Sequence, residues 1–142
     1  MHLQLEHKVL PGSLELAYLG DTIYDLYVRT HLIELGGKVG ALHRQAIQLV
    51  CAHAQAEALS RVEPMLSEEE LAVVRRARNV RQTPPRNADI AEYHRATAFE
   101  ALLGYLYVTD RDERLNAVLG VALPRELLAQ VHAKLMGGRH GE

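Results

Sequence analysis

The chain is poor in the residues that mark several large classes of protein. Cys51 is the single cysteine among 142 residues, which excludes an internal disulfide framework and a cysteine-based zinc cluster. No stretch reaches the roughly 20 uninterrupted apolar residues that a membrane-spanning helix needs. The N-terminus also lacks the basic and apolar regions of a secretory signal. These absences predict a soluble, intracellular protein that lies in the cytoplasm and has no membrane partner.

Strand-forming patterns are also scarce, whereas helix-forming residues are abundant. The sequence contains 23 leucines and 18 alanines, few β-branched residues, and no sustained alternation of apolar and polar residues. We therefore predict an all-α fold. The length favours a single domain over residues 1–142.

Capping residues and helix breakers divide the chain into six predicted helices. Ser13 caps the first helix, which ends at Gly36–Gly37, and the second runs from Lys38 to about Ser60. A capping box at residues 67–70 opens a third helix that reaches about Val80. The other three are predicted to start at Asn87 or Asp89, at a capping box of Asp110 and Glu113, and at Pro124, and to end at Val108, Leu119 and Gly137–Gly138.

Charge is distributed unevenly along the chain. Segment 75–86 carries five arginines and no acid, which leaves eleven basic and 18 acidic residues elsewhere, a net charge of −7. A local excess of positive charge indicates an anionic partner. Within this segment, Arg81–Arg86 is predicted to be a functional loop because two prolines restrict it between flanking arginines. The alternative is that it is only a solvated connection between helices.

Two acidic residues lie inside stretches that are otherwise apolar. Asp21 lies in LAYLGDTIYDLYV, and Glu100 lies in TAFEALLGYLY. A buried carboxylate costs several kcal/mol unless it is paired, hydrogen-bonded or bound to a metal. Each acid also has a glycine beside it in its helix, Gly20 before Asp21 and Gly104 one turn after Glu100. Because glycine is unfavourable inside a helix, the two glycines predict that the helix backbones cross closely there.

Such a crossing would bring two carboxylates together, and their repulsion calls for a cation between them. Oxygen ligands suit a hard ion such as Mg²⁺ or Mn²⁺. Asp25 lies on the same helical face as Asp21, and we expect it to be solvated or to support the ligands from behind. The alternative is that the two acids pair with arginines such as Arg29 or Arg95.

The two acidic stretches, at residues 16–28 and 97–107, resemble the signature helices of the ribonuclease III family. The similarity is closer to its short bacterial branch, Mini-ribonuclease III, because RRARN at 75–79 and NADIAEYHRATAFEALLGYLY follow in the same order and spacing. The resemblance covers most of residues 13–120. It implies a helical endonuclease domain that forms a homodimer and lacks the double-stranded-RNA-binding domain of full-length relatives.

The resemblance also implies an activity, which is Mg²⁺-dependent cleavage of double-stranded RNA, in which Mn²⁺ can replace Mg²⁺. Water attacks the phosphodiester and leaves a 5′-phosphate and a 3′-hydroxyl. The branch is associated with maturation of the large-subunit (23S) ribosomal RNA precursor. The competing interpretations are a catalytically silent RNA-binding or ribosome-associated module on the same fold, and a helical interaction protein with an incidental basic loop.

Site residues follow from the same resemblance, position by position. Asp21 and Glu100 match the family's catalytic, metal-binding acids. Two further acids of full-length relatives are replaced here by Ala17 and Thr97, a difference that the short branch shares, and Thr97 is expected to lie behind the ligands as Asp25 does. The residues expected to bind RNA, mostly through its phosphates and overall shape, are Arg75, Arg76, Arg78, Asn79, Arg81 and Arg86.

Overall fold

The computed structural model describes residues 3–6 and 9–137, and this part of the chain contains seven α-helices, a short 3-10 turn at Glu63–Met65, and no strand. The predicted all-α fold is therefore confirmed. No helix among these residues is long and apolar enough to cross a membrane. The helices are α1 (Ser13–Leu35), α2 (Val39–Val50), α3 (Ala52–Val62), α4 (Glu68–Arg78), α5 (Ile90–Val108), α6 (Asp112–Ala122) and α7 (Arg125–Gly137). Gly138, the predicted stop of the last helix, lies outside the described residues.

Local capping explains several of these boundaries. After α1, Gly36 adopts a φ of 85° and its N–H donates to the Leu32 carbonyl at 3.2 Å, as a glycine C-cap requires. At the start of α4, the Ser67 N–H donates to Glu70 Oε1 at 2.9 Å, and the Glu70 N–H donates to Ser67 Oγ at 3.1 Å. Both predicted signals are therefore confirmed. Asp89 caps α5 by accepting from the Glu92 N–H at 3.0 Å.

The predicted second helix is wrong, because the chain breaks it into α2 and α3. Cys51 lies between them with extended dihedrals, φ −67° and ψ 163°. The two halves pack on different neighbours, α2 against α1 and α7, and α3 against α5 and α6. Packing therefore overrides a local sequence that favours one continuous helix.

The predicted capping box at Asp110 is also wrong. Asp110 has a φ of 58°, the N–H of Arg111 donates to the Leu106 carbonyl at 2.9 Å, and the N–H of Asp110 donates to the Tyr107 carbonyl at 3.1 Å. These bonds form a Schellman motif, so Asp110 ends α5 rather than opening α6. At the other end of the chain, the N-cap of α1 is Gly12, one residue before the predicted Ser13.

Helix α5 forms the centre of the fold and packs against α1, α3 and α4. It is buried around most of its circumference, since Ala98 and Ala101 on its other sides are as fully enclosed as Phe99, Leu102 and Leu103. The ring of Phe99 meets Tyr24 of α1 edge to face, with 4.9 Å between centroids. The backbone of an acidic residue on this helix therefore lies in the middle of the hydrophobic core.

Candidate active site

The backbones of α1 and α5 touch at two glycines. A Cβ atom on Gly20 would lie 1.7 Å from the carbonyl oxygen of Glu100, and one on Gly104 would lie 2.0 Å from that of Leu16. No side chain fits at either position. The predicted close crossing of the two signature helices is thus confirmed, and glycine is needed at both contact points.

This crossing brings together the two acids that the sequence singled out. The carboxyl groups of Asp21 and Glu100 are joined by a hydrogen bond. Asp21 is exposed at the surface of α1, whereas Glu100 is half-buried on α5. The pair therefore has one carboxyl group open to solvent and one recessed against the core.

Burial is the main reason that the pKa of Glu100 rises to about 8, and the hydrogen bond and negative charge of Asp21 raise it further. A hydrogen bond from the amide of Gln55 acts in the opposite direction and lowers this pKa. Gln55 lies on α3 and is almost completely buried. Glu100 therefore keeps its proton near neutral pH, at a place where a bound cation would stabilise the negative charges of both carboxylates.

Sequence reasoning missed Gln55. The residue lies in an Ala- and Gln-rich segment in which it looks like an ordinary surface residue. Its burial depends on α3 lying against α5, and that packing follows from the break at Cys51 that the sequence did not reveal. A buried glutamine needs a polar partner, but the sequence gives no sign that it is buried.

The arginines proposed as alternative partners are bound elsewhere. Arg29 pairs with Asp25 at 2.9 Å, one turn along α1, and Arg95 pairs with Glu63 at 2.6 Å. Neither arginine neutralises Asp21 or Glu100, so that interpretation is wrong. Asp25 accepts the hydrogen bond of this pair from Arg29 Nε.

The donor set at this crossing consists of carboxylate oxygens. Among residues 3–6 and 9–137, no group of three or more His, Cys, Asp or Glu side chains has the arrangement of a metal site. Asp21 and Glu100 thus provide two oxygen donors without nitrogen or sulfur, a combination that fits an ion keeping most of its own water ligands, such as Mg²⁺. At the two positions where full-length relatives have acids, Ala17 offers no donor and the buried Thr97 hydroxyl donates to the Tyr93 carbonyl at 3.0 Å.

The six residues expected to bind RNA lie on the surface, in the last turn of α4 and in the loop that follows it. We call segment 75–86 the arginine segment. Its arginines form none of the ion pairs found within the described part of the chain. Gln82 connects the segment to α5 by donating to Thr97 Oγ1 at 3.0 Å, three residues before Glu100. The arginine segment is thus attached within one helical turn of the recessed acid.

Comparison with known proteins identifies the family to which this chain belongs. A family model described as the Ribonuclease III domain matches residues 14–111. Mini-ribonuclease 3 of Desulfitobacterium hafniense is 50% identical over 105 residues, which are 73% of this chain and 67% of that protein. Mini-ribonuclease 3 of Symbiobacterium thermophilum is 50% identical over 122 residues, 84% of this chain and 94% of that protein. The chain belongs to the Mini-ribonuclease 3 branch of the ribonuclease III family.

A solved structure shares the fold of this chain. The X-ray crystal structure of a Fusobacterium nucleatum protein matches with a TM-score of 0.73 and 30% identity, and the match covers 79% of this chain and 93% of that protein. The fold is therefore that of the ribonuclease III domain, and the resemblance noted in the two acidic stretches is confirmed.

Membership of the ribonuclease III family makes this chain an endoribonuclease of the ribonuclease III type. The family acts on double-stranded RNA and generally uses a divalent metal. The competing interpretations, a catalytically silent RNA-binding module and a helical interaction protein, are therefore not supported.

Proposed function

We propose that this ribonuclease III-type enzyme cleaves double-stranded RNA with Mg²⁺ held by Asp21 and Glu100, leaving a 5′-phosphate and a 3′-hydroxyl. Mn²⁺ has the same preference for oxygen ligands and would substitute. The observation that carries the proposal is the meeting of the two carboxyl groups at the glycine crossing of α1 and α5. We further propose that the substrate is the precursor of large-subunit (23S) ribosomal RNA in the cytoplasm, because the Mini-ribonuclease 3 branch is associated with that step.

In this proposal, Asp21, Glu100 and Gln55 have different roles around the metal ion. Bound Mg²⁺ would supply the positive charge and Lewis acidity that orient the scissile phosphate and activate water. Asp21, exposed on α1, offers its carboxylate from the solvent side, and Glu100 offers its own from the core side. Gln55 holds the Glu100 carboxylate by its amide and favours the charged form that a ligand must have.

RNA is held by the arginine segment in this proposal. Arg75, Arg76 and Arg78 project from the end of α4, and Arg81 and Arg86 project from the loop, so that phosphates along a duplex meet several guanidinium groups. Asn79, the C-cap residue of α4, is exposed and offers its side-chain amide to a ribose or backbone oxygen. A-form RNA presents its shallow minor groove to such side chains, so recognition depends mostly on shape.

Substitution of the two acids tests the catalytic proposal. Asp21→Asn and Glu100→Gln keep the size of each side chain but remove its charge, and a bound metal contributes several kcal/mol, so cleavage should fall by about a thousandfold or more. Binding of the duplex should change little. Glu34→Gln, at an exposed position of the same helix α1, is the matched control and should cleave normally. Near-normal turnover of either acid variant at saturating Mg²⁺ would contradict the assignment.

The salt dependence of binding tests the arginine segment. Arg81→Ala and Arg86→Ala should each weaken duplex binding. Each should also reduce the salt slope, the slope of log affinity against log salt concentration, by about one unit or slightly less, because a complex with one phosphate contact fewer releases fewer counterions when it forms. Lys134→Ala, at an exposed position of α7, is the matched control. An unchanged slope in both arginine variants would instead make the loop a solvated connection, and binding without any cleavage by the unaltered protein would favour the silent module.

A further inference from the structure

The side chain of Gln82 ties the arginine segment to the helix that carries Glu100. Its Nε2 lies 3.0 Å from Thr97 Oγ1 and 3.4 Å from His94 Nδ1. The Thr97 hydroxyl uses its own proton to donate to the Tyr93 carbonyl at 3.0 Å. It can therefore only accept from Gln82, which fixes the orientation of the amide of Gln82.

We propose that Gln82 is a positioning residue that sets the distance between RNA phosphates held by the arginine segment and the catalytic carboxyl groups. This inference rests on the RNA-binding role proposed for Arg81 and Arg86. The hydrogen-bonding neighbours of Gln82 are Thr97 and His94, so Gln82 acts indirectly, by holding the backbone next to Arg81, the preceding residue in the chain. Thr97 lies three residues before Glu100, so the hydrogen bond attaches the segment within one helical turn of the site.

The surroundings of this hydrogen bond make it an effective attachment. Thr97 is buried and Gln82 is half-buried, so water competes weakly for either group. Pro84 and Pro85 follow closely and restrict the backbone between Gln82 and Arg86. Because the backbone between them is restricted, fixing Gln82 also limits the positions that Arg86 can adopt. Since reactive groups must be aligned closely, a displacement of about 1 Å can cost as much as ~100-fold in rate.

The fold itself depends little on this bond. When Gln82 is replaced, the Thr97 hydroxyl keeps its hydrogen bond to the Tyr93 carbonyl, and the buried apolar contacts of α5 are untouched. The loop then loses its attachment while the helix keeps its structure. Substitution at Gln82 can thus separate positioning of the loop from folding.

The test combines single-turnover cleavage of one fixed duplex, the dissociation constant for that duplex, and the rate at which trypsin cuts after Arg81 and Arg86. Gln82→Met keeps the length of the side chain and removes its hydrogen bonds, and Thr97→Val removes the acceptor with little change in shape. Each should lower the single-turnover rate by about tenfold, scatter the cleavage positions, and speed trypsin cutting, while the dissociation constant changes by less than about twofold. Thr83→Ala, at the exposed neighbouring position, is the matched control and should behave as the unaltered protein.

Two further variants decide whether the residues act through one another. The double variant Gln82→Met with Thr97→Val should be no slower than either single variant, because both changes remove the same bond. Thr97→Ser retains the hydroxyl and should keep the normal rate. Multiplying effects in the double variant, or an unchanged single-turnover rate in Gln82→Met, would overturn the positioning role. Failure of the RNA-binding proposal would show separately, as an unchanged salt slope in Arg81→Ala and Arg86→Ala.

Discussion

Glu100 is a carboxylic acid in surroundings that oppose its charge. It lies on α5, the most buried helix of the fold, and its carboxyl group is hydrogen-bonded to a second carboxyl group, that of Asp21. Gln55 favours its ionised form by donating a hydrogen bond to it. The balance leaves Glu100 protonated at neutral pH in the metal-free protein, with a pKa of about 8. Binding of a cation must therefore displace this proton.

The first prediction concerns the pH dependence of metal binding. Below the raised pKa of Glu100, each unit of falling pH adds protons that compete with Mg²⁺, so the affinity for Mg²⁺ should fall by about tenfold between pH 7 and pH 6. Isothermal titration calorimetry of the RNA-free protein measures this directly. Titrations in two buffers of different ionisation enthalpy should show nearly one proton released per Mg²⁺ at pH 7. An affinity that does not change over this range would contradict the coupling.

Sequence reasoning reached the two acids of the site but not their full surroundings. Asp21 and Glu100 stand out because a charged residue within an apolar helix is costly wherever that helix packs, which is a property of the local sequence. Gln55 does not stand out, because its role depends on how three helices meet. The hydrogen bond between Gln82 and Thr97 was missed for the same reason, since fifteen residues separate the partners and neither is unusual for its segment.

At the scale of helices, the crossing of α1 and α5 determines the site. Gly20 lies next to Asp21 in the chain and against the backbone of Glu100 in space. The backbone contact at Gly20, which leaves no room for a side chain there, therefore also brings the carboxyl groups of Asp21 and Glu100 within hydrogen-bonding distance. Close packing of two backbones and the assembly of the active site are thus one structural event.

The second prediction follows from this contact. Gly20→Ala would place a Cβ 1.7 Å from the carbonyl oxygen of Glu100, which must push the helices apart and should lower the free energy of unfolding by about 3 kcal/mol or more. Cleavage should be lost as well, because the acids separate. Gly120→Ala is the matched control: nothing lies within 4 Å of its added Cβ, so alanine should stabilise α6 by about 1 kcal/mol. Urea denaturation measures both changes, and a Gly20→Ala protein of normal stability would contradict the close crossing.

Helix boundaries were predictable where one or two residues decide them and not where packing decides them. Gly36 ends α1 and Ser67 opens α4 through bonds within a few residues, so both were visible in the sequence. The break at Cys51 has no such local signal and exists because α2 and α3 pack on different helices. Asp110 misled the prediction because an aspartate suits a left-handed C′ position as well as an N-cap.

At the scale of the whole molecule, positive charge and exposed apolar surface lie in different segments. The arginine segment lies at the end of α4 and in the following loop, while α1 carries exposed apolar side chains along one side. Tyr18 is 85% exposed, and Leu14, Leu26 and Ile33 are also exposed. Apolar side chains grouped in this way indicate a protein contact. An α1 that buries its inner face against α5 therefore has a second face available for a partner.

The third prediction is that this partner is a second copy of the chain. A duplex has two antiparallel strands, and one carboxylate pair can cut only one strand in an encounter, so two sites related by a twofold axis match the symmetry of the substrate. Two arginine segments on one duplex would also raise avidity without new contacts.

Sedimentation equilibrium at micromolar concentration tests the dimer and should give about twice the chain mass of 15.9 kDa. Tyr18→Glu should shift the protein toward monomer, because it places a charge in the apolar contact, whereas Glu34→Gln should leave the dimer intact. Mixing Asp21→Asn chains with active chains should yield heterodimers that nick one strand, since only one of their two sites keeps its full ligand charge. A monomer that cuts both strands at the full rate would contradict the dimer while leaving Asp21 and Glu100 as the catalytic acids, because the chemistry of each site depends on α1 and α5 of a single chain.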